Sequence, residues 1–380
     1  MTYDRRSLLI AATGAAMTAP AWVRAEAAEP TADPIPGILA ATGQPALTWV
    51  GVGTKGVEAS GFGGVRRIGA ADKVAQDDLW HLGSNGKAMT AALYGRLVEA
   101  GRAKWGATVP ELFPDLTIDP AWAKTTVEQL LGHRAGVEEE SFMESGWLLA
   151  AHADRRPIRE QRMDLARTIL AKPPAGTPGA YAYANFNYVI VGAAMERILN
   201  QSWEDGIVTR LFKPLGIKSA GFGAPLGAQP WGHYLDEPVA LGKPAKLTPV
   251  DPAGLADNPP ALGPAGRIHM SMSDYARFAR LFLARGDGVL KPETVERLVT
   301  PVPGAGQAYA LGWIVIDKAP WAGGGPVLTH DGSNGMWHAS TLVAPARGQA
   351  LLVASNGPVE TTAVLRLMQT LRRQRLPAAG

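Results

Sequence analysis

The chain has 380 residues, 46% of them hydrophobic and 19% charged, which is a globular composition with enough chain for about two domains and a large buried core. Basic and acidic side chains number 37 and 34, so the net charge is +3, and no basic block occurs; nucleic acid is not expected as a partner. Cysteine is absent, which removes thiol nucleophiles, disulfide frameworks, Cys-ligated zinc and iron–sulfur clusters together.

Residues 1–25 carry the pair Arg5-Arg6, a mildly apolar run to Pro20, and small residues around Val23-Arg24-Ala25. This pattern predicts a twin-arginine-type export signal and a periplasmic protein. Residues 26–45 are rich in Ala and Pro and read as a linker. Ala46–Val52 and Val57–Phe62 read as strands around the turn Gly53–Gly56. From Ser84 the texture changes: Met89, Leu93 and Leu97 recur every four residues up to Gly101, which predicts a buried helix with a glycine stop.

Further helices are expected over Thr125–Leu131, Arg159–Leu170 and Tyr188–Leu199, and an irregular excursion over residues 221–265. Ser273 reads as the cap of a helix through Leu283. Strands then return at Leu311–Ile316, Val327–His330, Ala339–Val343 and Leu351–Ala354, before a final helix over about Glu360–Arg373. No stretch reaches 18 uninterrupted apolar residues, so no transmembrane segment is expected. Strands at both ends and helices between them predict an α/β (α+β) architecture. Residues 46–83 with 265–380 would form one α/β lobe, and 84–264 an inserted, mainly helical lobe.

Three short motifs carry chemistry. Ser84-Asn-Gly-Lys87 places a serine at a helix start and a lysine one turn later on the same face. The helix N-terminus supplies free N–H groups and positive field for an oxyanion, and a desolvated lysine can take the hydroxyl proton. Alone, the pattern also describes an ordinary N-cap serine beside a solvated lysine. Tyr183-Ala-Asn185 offers a phenol that can shuttle a proton and an amide that can orient a neighbour, or simply an aromatic loop packed on a helix. His330-Asp331-Gly332-Ser333 follows a strand, where a glycine lets a substrate approach the backbone.

In that order the three motifs resemble the serine β-lactamase/penicillin-binding superfamily, in particular its class C β-lactamases, D-alanyl-D-alanine carboxypeptidases and family VIII esterases. Leu130-Leu-Gly-His133-Arg-Ala-Gly136 and Pro264-Ala-Gly266 through Ser273-Asp274 extend the likeness to about residues 40–375. The chain departs from the class A pattern of Ser-Asp-Asn and Lys-Thr-Gly. The resemblance implies a β-lactamase/transpeptidase-like fold, with an antiparallel sheet flanked by helices, and no cofactor. It implies Ser84 as acyl-accepting nucleophile, with Lys87 and Tyr183 sharing base and acid work. It implies that Asn185 orients Lys87 or the substrate, and that His330 stands near Tyr183 where many relatives have lysine. The backbone N–H groups of Ser84 and Ser333 would form the oxyanion hole.

Asp331 lies where relatives that bind a carboxylate have Thr or Ser. If it points into the site it repels carboxylates and favours neutral small-molecule esters or amides; if it points away it says nothing. Glu196-Arg-Ile-Leu-Asn200 mimics the element that holds a deacylating glutamate in class A enzymes, yet it lies about 16 Å along a helix from Asn185, and a structural role is expected. Trp80, Trp313, Trp321 and Trp337 either wall an acyl pocket or belong to the core. The expected activity is thus an exported, esterase-like serine hydrolase. The alternatives are a class C-like β-lactamase or D-Ala-D-Ala carboxypeptidase, and a non-catalytic protein that binds cell-wall peptide.

Overall fold

A computed structural model describes residues 33–140 and 145–377. The expected export signal lies outside the described residues. The centre of the fold is a six-stranded antiparallel sheet with strand order β2-β1-β11-β10-β9-β8. Its strands are β1 (Ala46–Gly53), β2 (Gly56–Gly64), β8 (Ile314–Ile316), β9 (Val327–Ser333), β10 (His338–Ala344) and β11 (Gln349–Ser355). A second sheet joins β3 (Leu79–His81), β7 (Ile268–Ser271) and β4 (Gly221–Phe222) in the order β3-β7-β4, and a small hairpin joins β5 (His233–Leu235) to β6 (Leu247–Pro249).

Alternation along the large sheet decides what each face meets. Leu47, Trp49, Leu342, Leu351 and Val353 turn to a layer built from the helices Ile35–Thr42 and Ala363–Arg375. Val50, Ala339, Leu352 and Ala354 turn to the main core, where the helix Met272–Leu283 packs on the sheet and its Tyr275 hydroxyl bonds Thr341 Oγ1. The same core takes in the helix Gly86–Glu99, whose Met89, Leu93 and Leu97 are wholly buried as their spacing predicts.

Some boundaries differ from the sequence reading. Residues 35–42 of the expected linker are helical: Pro36 is tolerated in the first turn, and Gly43, at φ 73°, ends the helix by donating to Leu39 O. The cap of Met272–Leu283 is Ser271, whose Oγ accepts from Asp274 N, and not Ser273. Of the strand expected over Leu311–Ile316 only Ile314–Ile316 pairs with β9, because Gly312 turns the chain at φ 90°. The excursion at 221–265 contributes β4, β5 and β6. The helix expected from Tyr188 starts at Asn185.

Candidate active site

Ser84 sits in a single 3-10 turn, Gly83–Asn85, that leads directly into the helix Gly86–Glu99. Lys87 lies in the first turn of that helix and is fully buried. Its Nζ donates to Ser84 Oγ at 3.0 Å, to Asn185 Oδ1 at 2.7 Å and to Ala265 O at 2.8 Å. It also lies over the faces of Tyr183 and Tyr188, 4.8 and 5.5 Å from the ring centroids. Three acceptors hold the ammonium, but burial dominates and brings its pKa down to about 7. A lysine in this state is neutral often enough at pH 7 to accept a proton.

Tyr183 donates to the same Ser84 Oγ at 2.7 Å. His133 holds the tyrosine in place from both sides: its carbonyl accepts from Ala182 N at 2.9 Å, and its Nδ1 accepts from Ala184 N at 3.2 Å. The His133 and Tyr183 rings pack at 4.4 Å between centroids. Burial and the neighbouring Lys87 keep His133 neutral, well below its ordinary pKa. Burial raises the Tyr183 phenol strongly, only partly opposed by its bond to Ser84, so it retains its proton.

Asn185, the first residue of its helix, accepts from Lys87 through Oδ1 and donates through Nδ2 to Glu139 Oε1 at 2.9 Å. The other Glu139 oxygen accepts from Phe186 N at 3.2 Å, one of the unpaired N–H groups at the helix start. Glu139 is buried, which raises its pKa against the pull of Phe186, Lys87 and Asn185.

β9 closes the opposite side. Its pairing with β8 stops at Thr329, which leaves residues 330–333 free on that edge. His330 faces the main core with its Nε2 against the Tyr309 hydroxyl at 2.9 Å and its Nδ1 against Asp331 O at 2.7 Å. The Tyr183 and His330 rings are near neighbours, 6.3 Å apart, but His330's hydrogen bond goes to Tyr309. Burial, then the charge on Lys87, bring the His330 pKa down to about 4, so no cation stands at this position near neutral pH. Asp331 points to the other face of the sheet, opposite Ser340 and 3.7 Å from His338 Nε2, among the side chains that meet the terminal helices. The expectation of a carboxylate in the site is therefore corrected: the alternation that turns His330 inward turns Asp331 away.

Gly332 packs on the nucleophile turn so closely that a Cβ there would lie 2.7 Å from Ser84 N and 2.1 Å from Leu82 O. The Ser333 side chain is engaged in its own turn: Oγ donates to Trp337 O at 2.7 Å and accepts from Gly335 N at 3.0 Å. Only its backbone is left to face a substrate.

The Beta-lactamase family profile matches residues 29–372. The chain belongs to the β-lactamase family. It is 28% identical over 314 residues to penicillin-binding protein 4 of Amycolatopsis lactamdurans, covering 79% of this chain and 77% of that protein. Its fold matches an octameric penicillin-binding protein homologue from Pyrococcus abyssi, with a TM-score of 0.70 at 20% identity over 89% of this chain and 76% of that one. It also matches the D-amino acid amidase of Ochrobactrum anthropi SV3, with a TM-score of 0.69 at 19% identity over 89% of this chain and 96% of that one. A β-lactamase-family serine hydrolase with this fold is thus established, and the β-lactamase/transpeptidase-like architecture with it.

Within this family site, Glu196 has a structural role. It pairs with the fully buried Arg162 and accepts from Trp203 N at 2.9 Å. Arg162 in turn bonds Glu204 and the carbonyls of Pro260 and Ala261, fixing the chain that delivers Ala265 O to Lys87. Trp80, Trp313, Trp321 and Trp337 are all buried and belong to the core. Glu139 and Tyr309 were not found from sequence. Glu139 stands in the run Glu138-Glu139-Glu140, which reads as a solvated surface, and its partner Asn185 is 46 residues away. No helix among the described residues is long and apolar enough to cross a membrane.

Proposed function

We propose that this chain is an exported serine hydrolase that cleaves neutral, small-molecule esters or amides through an acyl-Ser84 intermediate. The convergence of the Lys87 amine and the Tyr183 phenol on one oxygen, Ser84 Oγ, carries the reading. Lys87, neutral in part at pH 7, takes the Ser84 proton as Oγ attacks the substrate carbonyl carbon. The negative charge that develops on the carbonyl oxygen is met by the N–H groups of Ser84 and Ser333. Tyr183 passes its proton to the departing alkoxide or amine and is reprotonated from Lys87, so the proton lost by Ser84 leaves with the product. A water then attacks the acyl carbon, and the same pair returns a proton to Ser84 Oγ.

The preference for neutral substrates rests on His330. Where a lysine would attract a carboxylate, this chain holds a neutral imidazole already bonded to Tyr309, and the nearest buried carboxylate around Lys87 and Asn185 is Glu139. The export proposal rests on the Arg5-Arg6 leader.

Intact-mass spectrometry after exposure to a fluorophosphonate, p-nitrophenyl butyrate and ampicillin tests the reading, with Ser84→Ala as control. Labelling by the fluorophosphonate and turnover of the ester, both lost in Ser84→Ala, are expected. A carboxylate-bearing ester should turn over more slowly than its methyl-capped form. Rapid ampicillin turnover, or a stable ampicilloyl adduct with no esterase activity, would favour a β-lactamase or carboxypeptidase. A protein unmodified by all three would be a non-catalytic binder of cell-wall peptide. A reporter fused to residues 1–30 that stays in the cytoplasm would remove the export proposal.

A further inference from the structure

Behind the site, and touching none of its reacting atoms, lies a second buried polar network centred on Asp257. One arm runs to the nucleophile. The Gly83 N–H donates to His81 Nδ1 at 3.2 Å, which puts the ring proton on Nε2, facing Asp257 Oδ2 at 3.0 Å. The other arm runs to the end of β9. Asn334 Nδ2 donates to Asp257 Oδ1 at 2.9 Å, while Asn334 Oδ1 accepts from Met336 N and Trp337 N, both at 3.1 Å. The Asn258 N–H at 2.7 Å and Arg267 Nε at 3.3 Å complete the carboxylate's partners. Burial alone would raise its pKa, but His81, Arg267 and Asn334 outweigh that and hold it below the ordinary carboxylate range.

The two arms end next to the two proposed oxyanion donors. Gly83 precedes Ser84, and Asn334 follows Ser333. The segments are in contact: Gly83 has φ 51°, and a Cβ there would lie 2.4 Å from Ser333 N. A third tie, Asn85 Nδ2 to Ala339 O at 3.2 Å, crosses to β10 and does not bond the Ser333 turn. Without Asp257, His81 and Asn334 would each lose the acceptor they share.

We propose that Asp257 is a positioning residue that sets the separation of the Ser84 and Ser333 N–H groups, and so the strength of the oxyanion hole. The proposal rests on the acyl-Ser84 reading, in which those two groups bind the oxyanion. It makes Asp257 and Asn334 a unit: loosening either arm widens the hole without removing a donor.

Exchange of the substrate carbonyl oxygen for sulfur probes such a hole directly, because its donors are placed for a developing oxygen anion. Rates on an ester and its matched thionoester are compared in wild type, Asp257→Asn and Asn334→Ala, with folding checked by circular dichroism. Wild type should prefer the ester strongly. In the variants kcat for the ester should fall roughly tenfold, less than the loss of a whole donor. KM should stay within about twofold, and the ester-to-thionoester ratio should shrink in step with kcat. A merely structural role would lower both rates equally and leave the ratio intact, and that result overturns the proposal. Should Asp257→Asn not fold, the ratio in Asn334→Ala decides alone. A wild type indifferent to the exchange overturns the hole itself, and the proposal with it; a discriminating wild type with an unchanged ratio in the variants overturns only the role of Asp257.

Discussion

The Tyr183 hydroxyl donates to Ser84 Oγ across 2.7 Å and keeps its proton there, because burial raises the phenol far above its ordinary range. In the proposed acyl-Ser84 mechanism the base is then the other group on the same oxygen, Lys87. Lys87, brought down to about 7 by burial, is the one whose protonation changes near neutral pH. The expected kcat/KM therefore rises with pH through about 7, as Lys87 loses its proton, and reaches a plateau above it. Lys87→Ala should lose about 10³-fold or more and Tyr183→Phe about 10²-fold, within the span of single acid–base groups. A pH–rate profile on p-nitrophenyl butyrate checks both. A profile flat between pH 5 and 9 would remove Lys87 from the role.

Glu139 reaches Lys87 through the Asn185 amide and by charge, and Glu139→Gln separates these effects. The groups around the Lys87 ammonium are Glu139, the neutral His133 and His330, and the protonated Tyr183 and Tyr188. Of these only Glu139 acts on the amine by charge to favour its protonated form, so neutralising it should move the acid limb of kcat/KM to lower pH. Asn185 then loses its carboxylate acceptor and kcat falls, on the order of tenfold. Glu139→Asp should leave the limb in place. A limb unmoved in a folded Glu139→Gln would show that Glu139 only caps the helix.

The sequence carries these groups with unequal clarity. Met89, Leu93 and Leu97 mark a buried helix because a period of nearly four is what burial of one face requires. Ser84, Lys87, Tyr183 and Asn185 are legible because their types and order are restrictive. The helix Ile35–Thr42 is hidden, since its Pro and Ala content matches that of a linker and what folds it is the packing of Ile35, Ile38 and Leu39 on the cluster beside the sheet. Glu139 is hidden for a similar reason: its neighbours Glu138 and Glu140 are chemically identical, and the partners that distinguish it are distant in the chain. Asp331 lies between these cases. Strand alternation separates its direction from that of His330, but which of the two faces the nucleophile depends on where the Ser84 turn docks.

Glu196 provides a control for the site assignment. It is held by a fully buried Arg162 that also pairs with Glu204, so Arg162 keeps one carboxylate when Glu196 is removed and the cost is that of a lost charge-assisted hydrogen bond, about 1.5–3 kcal/mol, rather than that of a buried unpaired charge. Glu196→Ala should therefore lose stability of that order in urea denaturation, while decay of the acyl-enzyme, followed by mass spectrometry, keeps its wild-type rate. Selective slowing of deacylation at unchanged acylation would give Glu196 a catalytic role that its position denies.

Acid should begin to destabilise the fold below about pH 6.5, where histidines held neutral by burial titrate in the unfolded chain. His330 and His233 both have pKa values lowered to about 4, in each case chiefly by burial, whereas in the unfolded chain each titrates near 6.5. Between those values the unfolded chain binds more protons, so stability is fully present above pH 6.5 and falls as pH drops toward 4. Geometry agrees for His233, whose Nδ1 faces Asn356 O at 2.6 Å while Nε2 accepts from Ile68 N at 3.2 Å. A second ring proton would turn that acceptor into a donor aimed at an N–H. Each such histidine contributes at most about 1.4 kcal/mol per pH unit, or on the order of 3 kcal/mol across the window. His233→Gln should cost stability at pH 7.5 but flatten its decline between pH 6.5 and 4 by about one proton's slope. Urea melts at half-unit pH steps measure it, and a variant with the wild-type slope would show that His233 is not a source of the acid sensitivity.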